Sequence, residues 1–347
     1  MGRNLKKEES KMSVSDEKNQ ARIVTLADGE KVFVTRGIFD YFDEKNFKRL
    51  LDEYNYAKKA GVRFYVGLYS DAILEKSGHT RPLSGKVKDE DRVMMLEAVD
   101  FVDGAFIIDE LTKTSIMKSL NDKLYVQSKT KKTLEDHDKK YEIGYASGGF
   151  SNLHKGHIEH LREMSRQCNT TVVAVNSDRL MQEYKHKNAS VNEDTRRCIL
   201  SHIRYVDVAI ITDDYDKLRA LDVVKGFLGK YFDAIFVGSD WKGDPKWEEF
   251  EKKLSEMGVD VVFTDRPKDG ISTTAIDKKK IERTAAMYHG DRRAAVTVSK
   301  SYNDELASGA TTLGIQYSSE LSSNTYLGNN SKEKKCRTSK DGEAEEK

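Results

Sequence analysis

Apolar residues come in short continuous runs, separated by stretches in which they recur every three or four positions. The runs are KVFVTRG (31–37), VRFYVGLYS (62–70), VDGAFIID (102–109), DKLYVQS (122–128), YEIGYAS (141–147), TTVVAVNS (170–177), VDVAIITD (206–213), FDAIFVGSD (232–240) and VDVVFTD (259–265). They are rich in Val and Ile and do not alternate apolar with polar, as expected of strands buried on both faces. The stretches between them have helical spacing. In HIEHLREMSRQ, for example, Ile158, Leu161 and Ser165 fall on one face. Strands alternating with helices predict an α/β fold with parallel sheets.

The pattern occurs twice. VGLYSDAILEKSGHTRPLSGKVKDEDRVMMLEAVDFVDGAFI aligns with VAVNSDRLMQEYKHKNASVNEDTRRCILSHIRYVDVAII. Arg92 then matches Arg196 and Asp103 matches Asp207, both 104 positions apart. Upstream, TRGIFDYFDEKNFKRL aligns with ASGGFSNLHKGHIEHL, and Gly37 matches Gly148, 111 positions apart. Two tandem domains are expected, over 26–130 and 141–288, joined by the charged stretch SKTKKTLEDHDKK (128–140). The first lacks the last strand and its sequel. The ends, 1–25 and 291–347, have too few apolar residues to offset the entropy of ordering and are expected to be disordered.

A net charge of +1 gives no global pull toward nucleic acid. No apolar run approaches the roughly 18–20 residues that span a bilayer. The charged N-terminus lacks the apolar core of a secretory signal. Cys168, Cys198 and Cys336 are odd in number and show no C-x-x-C spacing, which fits a reduced, cytoplasmic protein without a zinc site.

The candidate chemistry begins at GGFSNLHKGHIEHLREM (148–164), where a strand ends and a helix begins. Parallel sheets bind ligands at the carboxyl ends of their strands. A helix starting there aims N–H groups and a positive dipole end at the ligand, which suits phosphate. Gly148 and Gly149 would let the backbone approach closely. His154 and His157, three apart, project from roughly one side and can donate hydrogen bonds or, protonated, add charge. Taken alone, H-x-x-H is common and could be a partial metal site. The strand, Gly-Gly turn and helix around it favour phosphate.

GGFSNLHKGH resembles the G-x-F-D-x-x-H-x-G-H signature of the nucleotidyltransferase superfamily, and KDGISTTAI (268–276) resembles the R-T-E-G-I-S-T-T signature of its cytidylyltransferases. NEDTRRCILSHIRYVDVAI and FVGSDWKG are most similar to glycerol-3-phosphate cytidylyltransferase. The tandem layout resembles that of ethanolamine-phosphate cytidylyltransferase. The resemblance implies two Rossmann-like nucleotidyltransferase domains, and transfer of CMP from CTP to a small phosphorylated alcohol, with glycerol 3-phosphate the best single guess. Products would be a CDP-alcohol and pyrophosphate, and Mg²⁺ would accompany the triphosphate. His154 and His157 would contact the α-phosphate. Lys185 and Lys187 would lie over the phosphates, and Arg196 or Arg204 would hold the substrate phosphate. Phe150 belongs to the same nucleotide-binding turn as Gly148 and Gly149. Ser272, Thr273 and Thr274 would hold the β- and γ-phosphates. Gly238, Asp240 and Trp241 would border the base or substrate pocket. Each has a plainer reading: the lysines as a solvated face, Arg196 and Arg204 as partners of Glu193 or Asp194, Ser272 as a helix cap, and Trp241 as core.

There are departures. Ser151 stands where the signature has aspartate, Gly149 where threonine is common, and Arg266 precedes Gly270 by four. Two further readings stay open: adenylyl transfer to a sugar phosphate, which VAVNSD and RPLSGKVKDEDR also resemble, and a catalytically silent nucleotide-binding protein. The first half keeps GIFD (37–40) but has Asp43 and Asn46 at the histidine positions and no G-I-S-T-T segment. It reads as a degenerate copy packed against the second half as an internal pseudo-dimer, with homo-oligomerisation left open.

Overall fold

A computed structural model describes residues 22–26, 28–78, 81, 83, 87–130, 139–185, 189–265, 271–273 and 276, without the side chains of 125–130 and 184–185. The C-terminal stretch expected to be disordered lies outside the described residues, as do residues 1–21. The first half runs β1 (Ile23–Thr25), β2 (Lys31–Gly37), α1 (Glu44–Lys59), β3 (Arg63–Tyr69), α2 (Asp71–Lys76), α3 (Asp89–Glu97), β4 (Gly104–Ile108) and α4 (Lys113–Thr130). The second runs β5 (Tyr141–Gly148), α5 (Lys155–Gln167), β6 (Cys168–Asn176), α6 (Asp178–Lys185), α7 (Glu193–Ser201), β7 (Val208–Thr212) and α8 (Lys217–Leu228). It continues with β8 (Ala234–Gly238), a 3₁₀ turn (Ser239–Trp241), α9 (Pro245–Glu256) and β9 (Asp260–Thr264).

Two expectations are corrected. DKLYVQS is not a strand but part of α4. Leu120 is buried there, with Ile116 and Leu124 packed beside it, and that four-residue spacing is helical. The N-terminal segment is not wholly irregular, because Ile23–Thr25 pairs antiparallel with β2. A third detail shifts by one residue: α5 buries Ile158, Leu161 and Met164, rather than Ser165.

The second sheet has the order β7-β6-β5-β8-β9, and all its pairs are parallel. This is a Rossmann-like arrangement whose switch point lies between β5 and β8. The first sheet has the order β1-β2-β3-β4. There β1 occupies the flank of β2 that β8 occupies on β5, and it runs antiparallel. The first half therefore has no crevice between two diverging parallel strands at the corresponding place.

The halves share one apolar core. Phe42, Phe47, Leu50, Leu96, Val99 and Phe101 from the first join Leu153, Ile158, Leu161, Ile199, Leu200 and Ile203 from the second. Helix α1 packs on α7, and α3 on α5. Phe42 and Leu153 exchange both backbone hydrogen bonds, at 2.8 and 3.2 Å. Val99 bridges Ile203, flanked by Asp100 N to His202 O and Arg204 N to Ala98 O, both 2.8 Å. Phe42 and Leu153 are 111 apart and Val99 and Ile203 are 104 apart, the two offsets of the internal repeat. Each residue therefore meets its own counterpart, the relation that a two-fold axis imposes.

Phe47 sits in this core with edge contacts to Phe42 and Phe101. Truncating it to Ala is expected to cost about 3–5 kcal/mol in denaturant unfolding. A chain beginning at residue 139 would expose Leu153, Leu161 and Ile203 to water. It should self-associate or aggregate, and a monodisperse monomer in sedimentation would contradict the shared core.

Candidate active site

Strand β5 ends at Gly148, and two residues later Phe150 takes a left-handed φ of 48°. That conformation costs an L-residue roughly 1–2 kcal/mol. It folds the Phe150 ring back over Gly148, where an added Cβ would stand 3.1 Å from Phe150 Cε2. Gly148 thus makes room for the Phe150 ring. The first half repeats the device, with Phe39 at φ 53° over Gly37.

Helix α5 begins with His154 as its N-cap, and His154 Nδ1 accepts from the Gly156 N–H at 3.2 Å. An accepting Nδ1 places the proton of the neutral ring on Nε2. His157 lies one turn on. The two imidazoles stack with centroids 4.0 Å apart, and Phe150 flanks His157 at 5.0 Å. The stacked pair therefore lies at a helix N-terminus, where the dipole favours an anion. In the first half the same two positions close a capping box: Asp43 accepts from Asn46 N and Asn46 Oδ1 accepts from Asp43 N, both at 3.0 Å.

The histidines open onto a cavity of about 320 Å³ at the carboxyl ends of β5, β6, β8 and β9. Of the residues proposed from sequence, Gly148, Gly149, Phe150, His154, His157, Gly238, Trp241, Ser272 and Thr273 all line it. Asp240 is exposed in the 3₁₀ turn and is not among the lining residues. The side chain of Lys185, and all of Lys187 and Thr274, lie outside the described residues.

Neither arginine meets the cavity. Arg196 is buried, with Nε donating to Val191 O at 2.8 Å and Nη1 to Gly149 O at 2.5 Å and Asn176 O at 2.8 Å. Its remaining nitrogen pairs with Asp178, not with Glu193 or Asp194. Burial pulls this guanidinium below its ordinary pKa, against the opposing effect of Asp178. Arg196 thus ties the Gly149 turn to the end of β6. Arg92 does the same in the first half, donating to Ile38 O and Tyr69 O. Arg204 reaches across to Val99 O and Val102 O at 2.9 and 3.3 Å, so it belongs to the contact between the halves.

The family model described as cytidylyltransferase-like matches residues 145–279. FAD synthase of Aciduliprofundum boonei is 31% identical over 153 residues, which cover 43% of this chain and 97% of that protein. The chain belongs to the cytidylyltransferase-like family. The bifunctional protein HldE of Campylobacter concisus is 27% identical over 235 residues, 65% of this chain. That match spans 46% of the HldE protein, so the chain covers about half of it. A lipopolysaccharide core biosynthesis protein of Thermoplasma volcanium superposes with a TM-score of 0.31 at 28% identity, over 37% of this chain and 97% of that one. None of these relatives is named as a glycerol-3-phosphate cytidylyltransferase.

Sequence reasoning missed several groups in this cytidylyltransferase-like site. Lys217, at the start of α8, is buried against the cavity and donates to Ser147 Oγ at 2.8 Å. Its ammonium lies 4.8 Å from the Tyr215 ring. His160 Nδ1 meets Thr264 Oγ1 at 2.6 Å, and that hydroxyl reaches Val237 O at 3.3 Å, which ties α5 to β8 and β9 beside the cavity. Asn176, at the end of β6, also lines it. The available signal was position: DDYDK follows an apolar run, and Asp216 caps the next helix.

Two substitutions separate binding from bracing. Lys217→Met relieves the desolvation of a buried ammonium, so melting temperature should hold or rise while triphosphate affinity falls about tenfold, or about 1.4 kcal/mol. Calorimetric titration of both proteins checks this. Arg196→Ala leaves the carbonyls of Gly149, Asn176 and Val191 without their donor and should cost about 1–3 kcal/mol in stability. Lost binding with unchanged unfolding would instead make Arg196 a phosphate ligand.

Proposed function

We propose that this protein transfers a nucleoside monophosphate from a triphosphate to a phosphate monoester. The observation that carries this reading is the stacked His154–His157 pair at the start of α5, facing a cavity at the switch point of a parallel sheet. An oxygen of the acceptor phosphate attacks the α-phosphorus. The bond to the bridging oxygen of the β-phosphate breaks, and pyrophosphate leaves with that electron pair. No covalent enzyme intermediate is required. Catalysis is positioning and charge stabilisation. His154 donates from Nε2 to an α-phosphate oxygen, and His157 stabilises the same developing charge. Ser272 and Thr273 open a helical turn, with Ile276 N donating to Ser272 O at 3.0 Å, and their hydroxyls and N–H groups suit the β- and γ-phosphates. Thr274, Lys185 and Lys187 extend the same phosphate-binding role. Gly238 and Trp241 border the base. Lys217 adds a cation for the acceptor or the α-phosphate.

Mg²⁺ would arrive with the triphosphate, held by phosphate oxygens and water. Among the described residues, no group of three or more His, Cys, Asp or Glu could hold a metal ion.

The G-I-S-T-T segment and GSDW favour CTP and a small phospho-alcohol, with glycerol 3-phosphate as first candidate. A second reading, adenylyl transfer to a sugar phosphate or to FMN, is supported by the likeness to an FAD synthase and to bifunctional HldE proteins. Pyrophosphate release with CTP or ATP, against phospho-alcohols, sugar phosphates and FMN, decides between them. Release with one pair, reduced at least about a hundredfold in His157→Ala, is the expected outcome. No release with any pair would overturn the proposal.

A further inference from the structure

The cavity segment Ile271–Thr273 is held from the other half. Leu83 and Val87 of the first half form a buried apolar cluster with Ile271 and Ile276 of the second, and Tyr41 packs against it. Ile271 directly precedes Ser272 and Thr273, which line the cavity, and Ile276 closes their turn. Both anchors of the phosphate-facing residues thus rest on first-half side chains.

Those side chains are themselves fixed. Leu83 N donates to Asp40 Oδ2 at 3.1 Å, and Val87 N to Leu83 O at 3.1 Å. The Arg81 guanidinium donates to Val87 O at 2.6 Å and Asp71 Oδ2 at 2.7 Å, and pairs with Asp40. The side chains of Arg81 and Asp40 are almost fully buried, at 1% and 2% exposure, so the pair is strongly constraining. Hydrogen bonding from Arg81 holds the Asp71 carboxyl below its ordinary pKa, in keeping with a charged cluster. Asp40 is the aspartate of GIFD, at the position of Ser151 in the second half. In the first half this acid anchors Leu83, which packs against Ile271 and Ile276 of the other half.

We propose that the first half positions the triphosphate: Leu83 and Val87, held by Asp40 and Arg81, fix Ile271 and Ile276 so that Ser272 and Thr273 face the β- and γ-phosphates. Leu83 and Val87 are positioning residues and touch no ligand. The ligand in this statement rests on the nucleotidyl-transfer reading.

The test uses the full chain carrying Leu83→Ala with Val87→Ala, and Leu83→Met as the conservative variant. Hydrogen exchange without ligand reads the contact itself. Amides of 271–276 should exchange about tenfold faster or more in the double variant, those of β5 and β6 should not change, and Leu83→Met should stay close to wild type. Calorimetry then compares CTP with CMP, and ATP with AMP. Loss of positioning weakens the triphosphate about tenfold and leaves the monophosphate unchanged, because only the triphosphate reaches Ser272 and Thr273. Equal weakening of both, unchanged triphosphate binding, or unchanged exchange at 271–276 would overturn the proposal. A wild-type chain that binds no nucleotide would sink the nucleotidyl-transfer reading and the triphosphate role with it. The exchange result then still decides whether the first half holds this segment.

Discussion

Everything in this molecule depends on the burial of four helix faces against one another across its internal two-fold. Neither half could leave Phe42, Phe47, Leu153 or Ile203 in water, and each half supplies the apolar surface that covers the other. The contact also sets the active-site turn. Leu153 has both backbone groups paired with Phe42, and the next residue is His154. The N-cap of α5 is thus fixed on one side by the opposite half. On the other side, Arg196 holds the Gly149 carbonyl, and the positive φ of Phe150 is maintained between the two.

The same frame has been used for two purposes. A Gly–x–Phe turn, a buried arginine bracing carbonyls and an aspartate that accepts from a strand N–H occur in both halves. Asp103 accepts from Phe64 N at 2.7 Å, and Asp207 from Thr171 N at 2.8 Å. The divergence lies where chemistry would occur. Beside β5 stands the parallel strand β8, and a cavity opens; beside β2 stands the antiparallel β1. His154 and His157 stack toward the cavity, whereas Asp43 and Asn46 cap their own helix. An acid at the first position would repel an α-phosphate.

Much of this was legible in the sequence because it depends on local chain chemistry. Continuous Val and Ile runs marked eight of the nine strands among the described residues at nearly their observed positions, and the glycine and histidine pattern marked the turn and its helix. The differences share a cause. DKLYVQS has the composition of a strand, but its Leu124 extends an apolar stripe begun at Ile116, a relation visible only over a longer window. Arg196 carries the residue type of a phosphate ligand, yet its four partners are backbone carbonyls and Asp178, brought together by three separate loops. Lys217 went unnoticed because nothing local distinguishes a lysine at a helix start from a solvated one; its burial against Ser147 is a product of the sheet order.

We propose one nucleotide site per chain, in the second half, at the two histidines. Equilibrium dialysis counts bound nucleotide directly, with CTP and ATP in turn and Mg²⁺ present. One nucleotide per chain is expected at saturation for the preferred triphosphate, with a large loss of affinity in the double variant His154→Ala with His157→Ala. Two nucleotides per chain, or one that the histidine variant retains at full affinity, would contradict it.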